Sequence, residues 1–279
     1  MLQTVYYDFL DQNKTDEMMR IKELPEMKKF HFIHQAMPLP EQNRNAVCLS
    51  DQEKYCLEAI RCGYPVIFSE DHQSEASTSM EIRYVIMSMD ALSKNYLEEV
   101  YARFYKEPLI ILVTNRCIIR ETCLEDLDRL YEIYSGEGMT DFLEPLFEEH
   151  EMEKTYLQSY IEHVYTYYGY GMWSILEKES GNVIGRAGIE YKEDEPDSLE
   201  LGYLIDKSYQ KKGYATEVCS AIIKYADEHL QITKLCSYIH PENNASIKLC
   251  KKLGFAERGY FLRDGIQLCK YEWKQNRGM

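Results

Sequence analysis

From residue 116 onward polar and apolar positions alternate, as in RCIIRET over 116–122, which is the two-residue period of a half-buried strand. The period then lengthens. Leu124, Leu127, Leu130, Tyr131 and Tyr134 recur at helical spacing, and Thr122 with Glu125 three residues on has the form of a capping box, so a helix is predicted just past residue 122. A second, tyrosine-rich helix is expected over 143–168, closed by Gly169 and Gly171. Strands follow at 172–178 and 183–191, joined by the turn Glu179-Ser180-Gly181-Asn182, and at 199–206 after an acidic, proline-containing loop at 193–198. Helical spacing returns over 213–230, a strand over 234–239 and a helix over 244–253. A hairpin of 255–263 and 266–274, turning at Asp264-Gly265, ends the pattern. The order βααβββαβαββ predicts an α/β (α+β) domain with one central mixed, mostly antiparallel sheet.

Ahead of this domain, AVCLSDQEKYCLEAIRCGYPVIFSED and then RYVIMSMDAL show a β-α-β-β pattern with a turn at Gly63-Tyr64-Pro65. Ser50-Asp51, at the end of its first strand, has the form of a helix cap. Lys106-Glu107-Pro108 breaks a helix and launches a short strand at 109–113, which places the boundary at about residue 115. A chain of 279 residues exceeds the usual 100–200 of one domain, so two domains are expected, 1–115 and 116–279.

Composition narrows the chemistry. No apolar run approaches the ~18–20 residues of a membrane span, and the amino terminus lacks a basic patch ahead of an apolar core, so a soluble, cytoplasmic protein is expected. Nine cysteines without a Cys-x-x-Cys pair read as reduced structural residues. His31 and His34 have no carboxylates or cysteines arranged beside them, so no metal is expected. The net charge of −15 argues against nucleic acid and anionic membrane partners, and the tyrosines at 156, 160, 165, 167 and 168 read as packing or pocket wall. Over 206–253, however, eight lysines face five acids, a balance of +3 that leaves −18 for the rest. That contrast suggests either one polyanionic ligand or a solvated helix face.

The densest signal is ELGYLIDKSYQKKGYATEV over 200–218. A small-residue loop that opens a helix presents unpaired amides at the positive end of its dipole, and these bind phosphate oxygens. The dipole alone contributes ~0.3–1 kcal/mol per anionic group, so several amides plus Lys211 and Lys212 are needed to hold a diphosphate. Gly213 allows close approach and Thr216 offers a hydroxyl donor. On its own this signal leaves a nucleotide site open as well.

The loop Gln210-Lys211-Lys212-Gly213-Tyr214-Ala215 resembles the Gln/Arg-x-x-Gly-x-Gly/Ala signature of the GNAT acetyltransferases. HPENNASIKLCKKLGF over 240–255 and YGYGMWSILEKESGNVIGRAGI over 168–189 are similar to the branch that includes the ribosomal-protein N-terminal acetyltransferases. The resemblance covers nearly all of 116–279 and implies a GNAT fold, acetyl-CoA as cosubstrate and an amine acceptor. It further implies that residues 210–215 cradle the coenzyme A diphosphate. The main chain of Tyr203 and Ile205 would pair with the pantetheine arm, and Asn243 and Ser246 would contact the cofactor near its thiol, with a helix-capping role as the alternative for Asn243. Acyl transfer to an ammonium of pKa ~10.4 needs a base. Glu200 leads and Glu190 stands in reserve, while the Tyr203 or Ile205 amide would serve an oxyanion. Many members of the family it resembles carry a tyrosine acid where this chain has Cys250, which makes Cys250 the candidate acid and a buried packing cysteine the alternative. A catalytically silent acyl-CoA sensor is the other functional class consistent with these residues. The first 115 residues resemble the closing half of a haloacid-dehalogenase-type Rossmann domain without its paired-aspartate nucleophile motif, and are read as a noncatalytic α/β domain for substrate recognition or self-association as a homodimer.

Overall fold

The computed structural model describes residues 1–40, 43–70, 79–192, 199–263 and 265–275. The loop 193–198 and Asp264 of the hairpin turn lie outside the described residues. Contacts divide the chain into Met1–Glu107 and Pro108–Met279.

The first unit runs β1 (Thr4–Asp8), α1 (Gln12–Ile21), β2 (His31–His34), β3 (Ala46–Ser50), α2 (Glu53–Arg61), β4 (Val66–Ser69), β5 (Val85–Ile86) and α3 (Lys94–Tyr105). Its five strands are all parallel, in the order β2-β1-β3-β4-β5. Such a sheet is covered on both faces, which is why Ala46 to Ser50 are buried without a break. Asp51 does not cap α2: its two carboxylate oxygens accept the amides of Leu10 and Asp11, tying β3 to the turn after β1.

The second unit contains β6 (Ile110–Val113), β7 (Cys117–Glu121), α4 (Leu127–Tyr134), α5 (His150–Ser159), a π-helical stretch (Tyr160–Tyr165), α6 (Thr166–Tyr168), β8 (Met172–Glu177), β9 (Val183–Tyr191) and β10 (Leu199–Ile205). It continues with α7 (Tyr214–Glu228), β11 (Lys234–Ile239), α8 (Asn244–Lys252), β12 (Ala256–Arg263) and β13 (Ile266–Lys274). The eight strands form one mixed sheet, β12-β13-β11-β10-β9-β8-β7-β6, in which only β10 and β11 are parallel neighbours.

Three expectations shift. The strand at 110–113 pairs with β7, so it belongs to the second sheet and the division falls at 107/108 rather than 115. The cap after β7 is Cys123 with Asp126, one residue beyond Thr122 with Glu125, because Thr122 is buried and bonded to the Met172 carbonyl. The second helix starts at His150 rather than 143: Pro145 disfavours helical geometry in Glu144, and the Phe147 amide and carbonyl are taken by Glu153 and Tyr131.

α7 shows why the core sits where it does. Tyr214, Val218, Cys219, Ile222, Ile223 and Ala226 are buried at i, i+4, i+5, i+8, i+9 and i+12, a single apolar stripe. It packs on Ala187, Ile189, Leu201 and Ile205 of the sheet. Each fully buried Ile or Val contributes roughly 1.5–3 kcal/mol. Leu130, Ile133 and Met139 cover Val183 and Leu204 in a separate cluster.

Candidate active site

β10 pairs with β9 along all seven residues, from Leu199 opposite Tyr191 to Ile205 opposite Gly185. With β11 it pairs only at Leu199–Leu235 and Glu200–Cys236, and past Glu200 the two parallel strands part. Closure on the β9 side depends on Gly185, where any β-carbon would overlap the Leu204 carbonyl oxygen. In an antiparallel strand, alternate residues bond opposite neighbours. Because the Asp206 amide reaches Ile184 on the β9 side, the main chains of 201, 203 and 205 face the opening. Ser237 Oγ takes the Leu201 carbonyl at 2.9 Å, and Gln210 Nε2 takes the Ile205 carbonyl at 2.9 Å. The main chain of Tyr203 lies between these two, and its phenol donates to Ser246 Oγ on α8 at 2.8 Å.

The start of α7 adjoins this opening in sequence and space. Lys211 and Gly213 are left-handed, with φ of 61° and 87°. Gly213 is the N-cap residue, and no side chain bonds the first-turn amides. α1, α3 and α8, by contrast, are capped by Asp11, Ser93 and Asn243. Lys211 and Lys212 are exposed, and Lys252 Nζ donates to Thr216 Oγ1 at 3.4 Å. The loop is held from behind. Arg116 Nη1 donates to the Lys212 carbonyl at 3.0 Å, its guanidinium stacks 4.1 Å from the Tyr214 ring centre, and its Nε pairs with Glu217 at 2.7 Å. Burial alone would raise the Glu217 carboxyl, but the Arg116 amide, the Thr114 hydroxyl and the Arg116 guanidinium outweigh it and hold the group below its ordinary value. Tyr214 itself is buried, its hydroxyl bonded to Glu177.

Glu200 sits where β10 and β11 part, directly opposite Glu190 on β9. Its Oε2 accepts from Arg263 Nη1 at 2.9 Å. Burial raises its pKa above the usual carboxylate value, against the opposing pull of Arg263 and Lys192. Glu190 accepts from the Tyr160 hydroxyl at 2.7 Å and pairs with Lys192 at 3.2 Å, in an open pocket walled by Tyr160, Tyr168, Tyr170 and Tyr191. The Tyr160 hydroxyl also accepts the Met172 amide at 2.8 Å, while the Tyr165 hydroxyl donates to the Met172 carbonyl.

Residues 116–256 match the family model described as the acetyltransferase (GNAT) domain. Over 154 residues the chain is 30% identical to the uncharacterized N-acetyltransferase p20 of Bacillus licheniformis, across 55% of this chain and 85% of that protein. The chain belongs to the GNAT acetyltransferases. An acetyltransferase from Agrobacterium tumefaciens str. C58 shares its fold at a TM-score of 0.50 and 23% identity, covering 59% of this chain and 94% of that one. So does RimL, a ribosomal L7/L12 alpha-N-protein acetyltransferase in complex with coenzyme A, at 0.51 and 17%, covering 60% and 98%.

GNAT enzymes use acetyl-CoA, and this site fits it: an uncapped helix start with two flanking lysines can hold a diphosphate, and a half-paired strand can take an extended amide arm. Tyr203, Ile205 and Ser246 meet at the opening, with the amides of Gly213, Tyr214, Ala215 and Thr216 at the start of α7. The Gln210 side chain turns inward to Ile205 and Met139, so it braces the loop and leaves the cradle to the main chain. Asn243 is a helix cap, its Oδ1 accepting the Ser246 amide at 3.1 Å. Cys250 is 2% exposed and burial pushes its thiol up to about 11, so this residue packs the core beneath α8 and is poorly suited to act as the acid. Sequence reasoning missed Arg116 with Glu217, and Arg263, whose partners are 101 and 63 residues away and leave no local pattern. Among the described residues no group of three or more His, Cys, Asp or Glu side chains could hold a metal, and no helix is long and apolar enough to cross a membrane.

Proposed function

We propose that this GNAT enzyme acetylates a primary amine, that of a small molecule or of a protein amino terminus, with its donor seated between β10 and β11. The observation that carries this reading is the parting of those strands at Glu200 beside an uncapped helix start. The segment HPENNASIKLCKKLGF supports a place near the ribosomal-protein N-terminal acetyltransferases.

Acetyl-CoA supplies the acetyl group as an activated thioester. The α7 amides, with Lys211 and Lys212, bind its diphosphate, and the Tyr203 and Ile205 main chain orients the arm along β10. A lysine-like ammonium of pKa ~10.4 is neutral in only about one molecule in 10³ near pH 7, so a proton has to be removed before attack. Glu200 removes it, directly or through water. Burial makes Glu200 a stronger base than an exposed carboxylate, while Arg263 keeps it ionised. The paired hydroxyls of Tyr203 and Ser246 place a proton donor at the opening, where Cys250 does not.

Glu200→Gln tests the assignment. Acetyl-CoA affinity should be retained while coenzyme A release falls ~10²-fold near neutral pH. The wild-type kcat/KM should decline on acidification along a limb set above the usual carboxylate range, because only ionised Glu200 accepts the proton and burial raises its pKa. That limb should vanish in the variant. Unchanged turnover would move the role to Glu190.

A further inference from the structure

We propose that Arg186 binds an oxyanion, carboxylate or phosphate, carried by the acceptor amine, so that the substrate class is an amine bearing an acid group. This rests on the acetyl-transfer reading above.

Arg186 lies on β9 between Ser174 of β8 and Leu204 of β10. Side chains alternate along a strand, so Arg186 shares a face with Glu190, four residues on, and with Glu200 opposite it. Ala187 and Ile189 point the other way, into the core under α7, which separates Arg186 from the diphosphate loop. Its Nε is sealed from solvent without a hydrogen-bond partner, and among the described residues the guanidinium has no hydrogen bond or ion pair. The two carboxylates on its face of β9 and β10 already have cationic partners: Glu200 pairs with Arg263 and Glu190 with Lys192. Burial opposes its charge, while Tyr134, Tyr165, Tyr160 and the Glu190 carboxylate favour it and hold its pKa above the ordinary value. None of them is an ionised partner in contact with it.

A guanidinium nitrogen sealed from water without a partner is costly, and an anion on the neighbouring donors of the fork offsets that cost. Its fork of donors matches two-oxygen anions, and part of the side chain remains accessible. An acid group carried by the substrate would meet the accessible part of this fork. Four strand residues span about 13 Å at ~3.3 Å each, so the acid and the amine of the acceptor should be several bonds apart, unlike those of an α-amino acid.

The experiment compares ω-amino acids, ω-aminoalkyl phosphates and ω-amino alcohols of matched length by coenzyme A release. Acid-bearing acceptors should exceed the alcohols at least tenfold in kcat/KM, and the preferred acid identifies the anion. Arg186→Gln should lower acid-bearing acceptors at least tenfold more than alcohols, chiefly through KM, with Arg186→Lys restoring part. Equal use of alcohols and acids by the wild type, or a preference that survives in the Gln variant, overturns the proposal. Thermal unfolding gives a readout independent of turnover. Arg186→Met should leave the ligand-free Tm unchanged or raised and abolish stabilisation by ω-amino acids, whereas a lowered Tm means a structural guanidinium and also overturns it. Acetyl-CoA binding without turnover of any amine, together with intact anion stabilisation, would instead strike the transfer reading.

Discussion

Two helices begin beside the opening in the sheet, and they begin differently. α8 is closed by its own sequence: Asn243 Oδ1 occupies the Ser246 amide. α7 starts at a left-handed glycine with no side-chain cap, directly after two exposed lysines. A capped start is satisfied within the chain, whereas an uncapped one still presents donors to an anion. The contrast gives the start of α8 a capping role within the chain and leaves the start of α7 as the proposed diphosphate site.

The strongest way to break the comparison is Gly213→Val. A β-branched residue at φ 87° is strained by ~1–2 kcal/mol and crowds the amides, so calorimetry should show acetyl-CoA affinity falling more than tenfold, ~1.4 kcal/mol. Equal affinity would mean that the start of α7 holds no phosphate. Next comes Asn243→Ala, which should lower unfolding stability by about 0.5–2 kcal/mol and affect acetyl-CoA affinity far less than the glycine change. A larger loss of affinity than of stability would reverse the roles of the two helix starts. The smallest effects belong to Lys211→Ala and Lys212→Ala, each weakening binding by ~0.3–1 kcal/mol, with the deficit shrinking as salt is added. Salt-independent losses would place these side chains in packing.

Part of the second unit was legible because β7 alternates buried and half-buried positions from Cys117 to Glu121, and because the turn Glu179-Ser180-Gly181-Asn182 marks the ends of β8 and β9. The first strand was not. Thr4 to Tyr7 are all buried in a parallel sheet, so TVYYD carries no alternation to read. Capping signals located helix starts to within a residue or so, but α5 starts seven residues late because Pro145 restricts Glu144 and the side chains of Tyr131 and Glu153 hold the Phe147 backbone. In the candidate site, the loop over 210–215 was visible because its glycine and lysines are adjacent in sequence. Arg116 behind it, Arg263 on Glu200 and the unpaired Arg186 were invisible because strand order, rather than spacing along the chain, brings them there.

The π-helical stretch sets the geometry of the tyrosine wall. Residues five apart on an α-helix diverge by about 140°, whereas i→i+5 bonding stacks them in line. Tyr160 and Tyr165 therefore grip the two main-chain groups of Met172 from one side, over Gly171, where a β-carbon would strike both tyrosines. Excising one residue between them would restore ordinary pitch and rotate one phenol off the strand. Because Tyr160 also donates to Glu190, that deletion would be felt as a lost pocket wall. The single surplus residue thus works as a spacer that keeps the tyrosine wall in registration with its sheet.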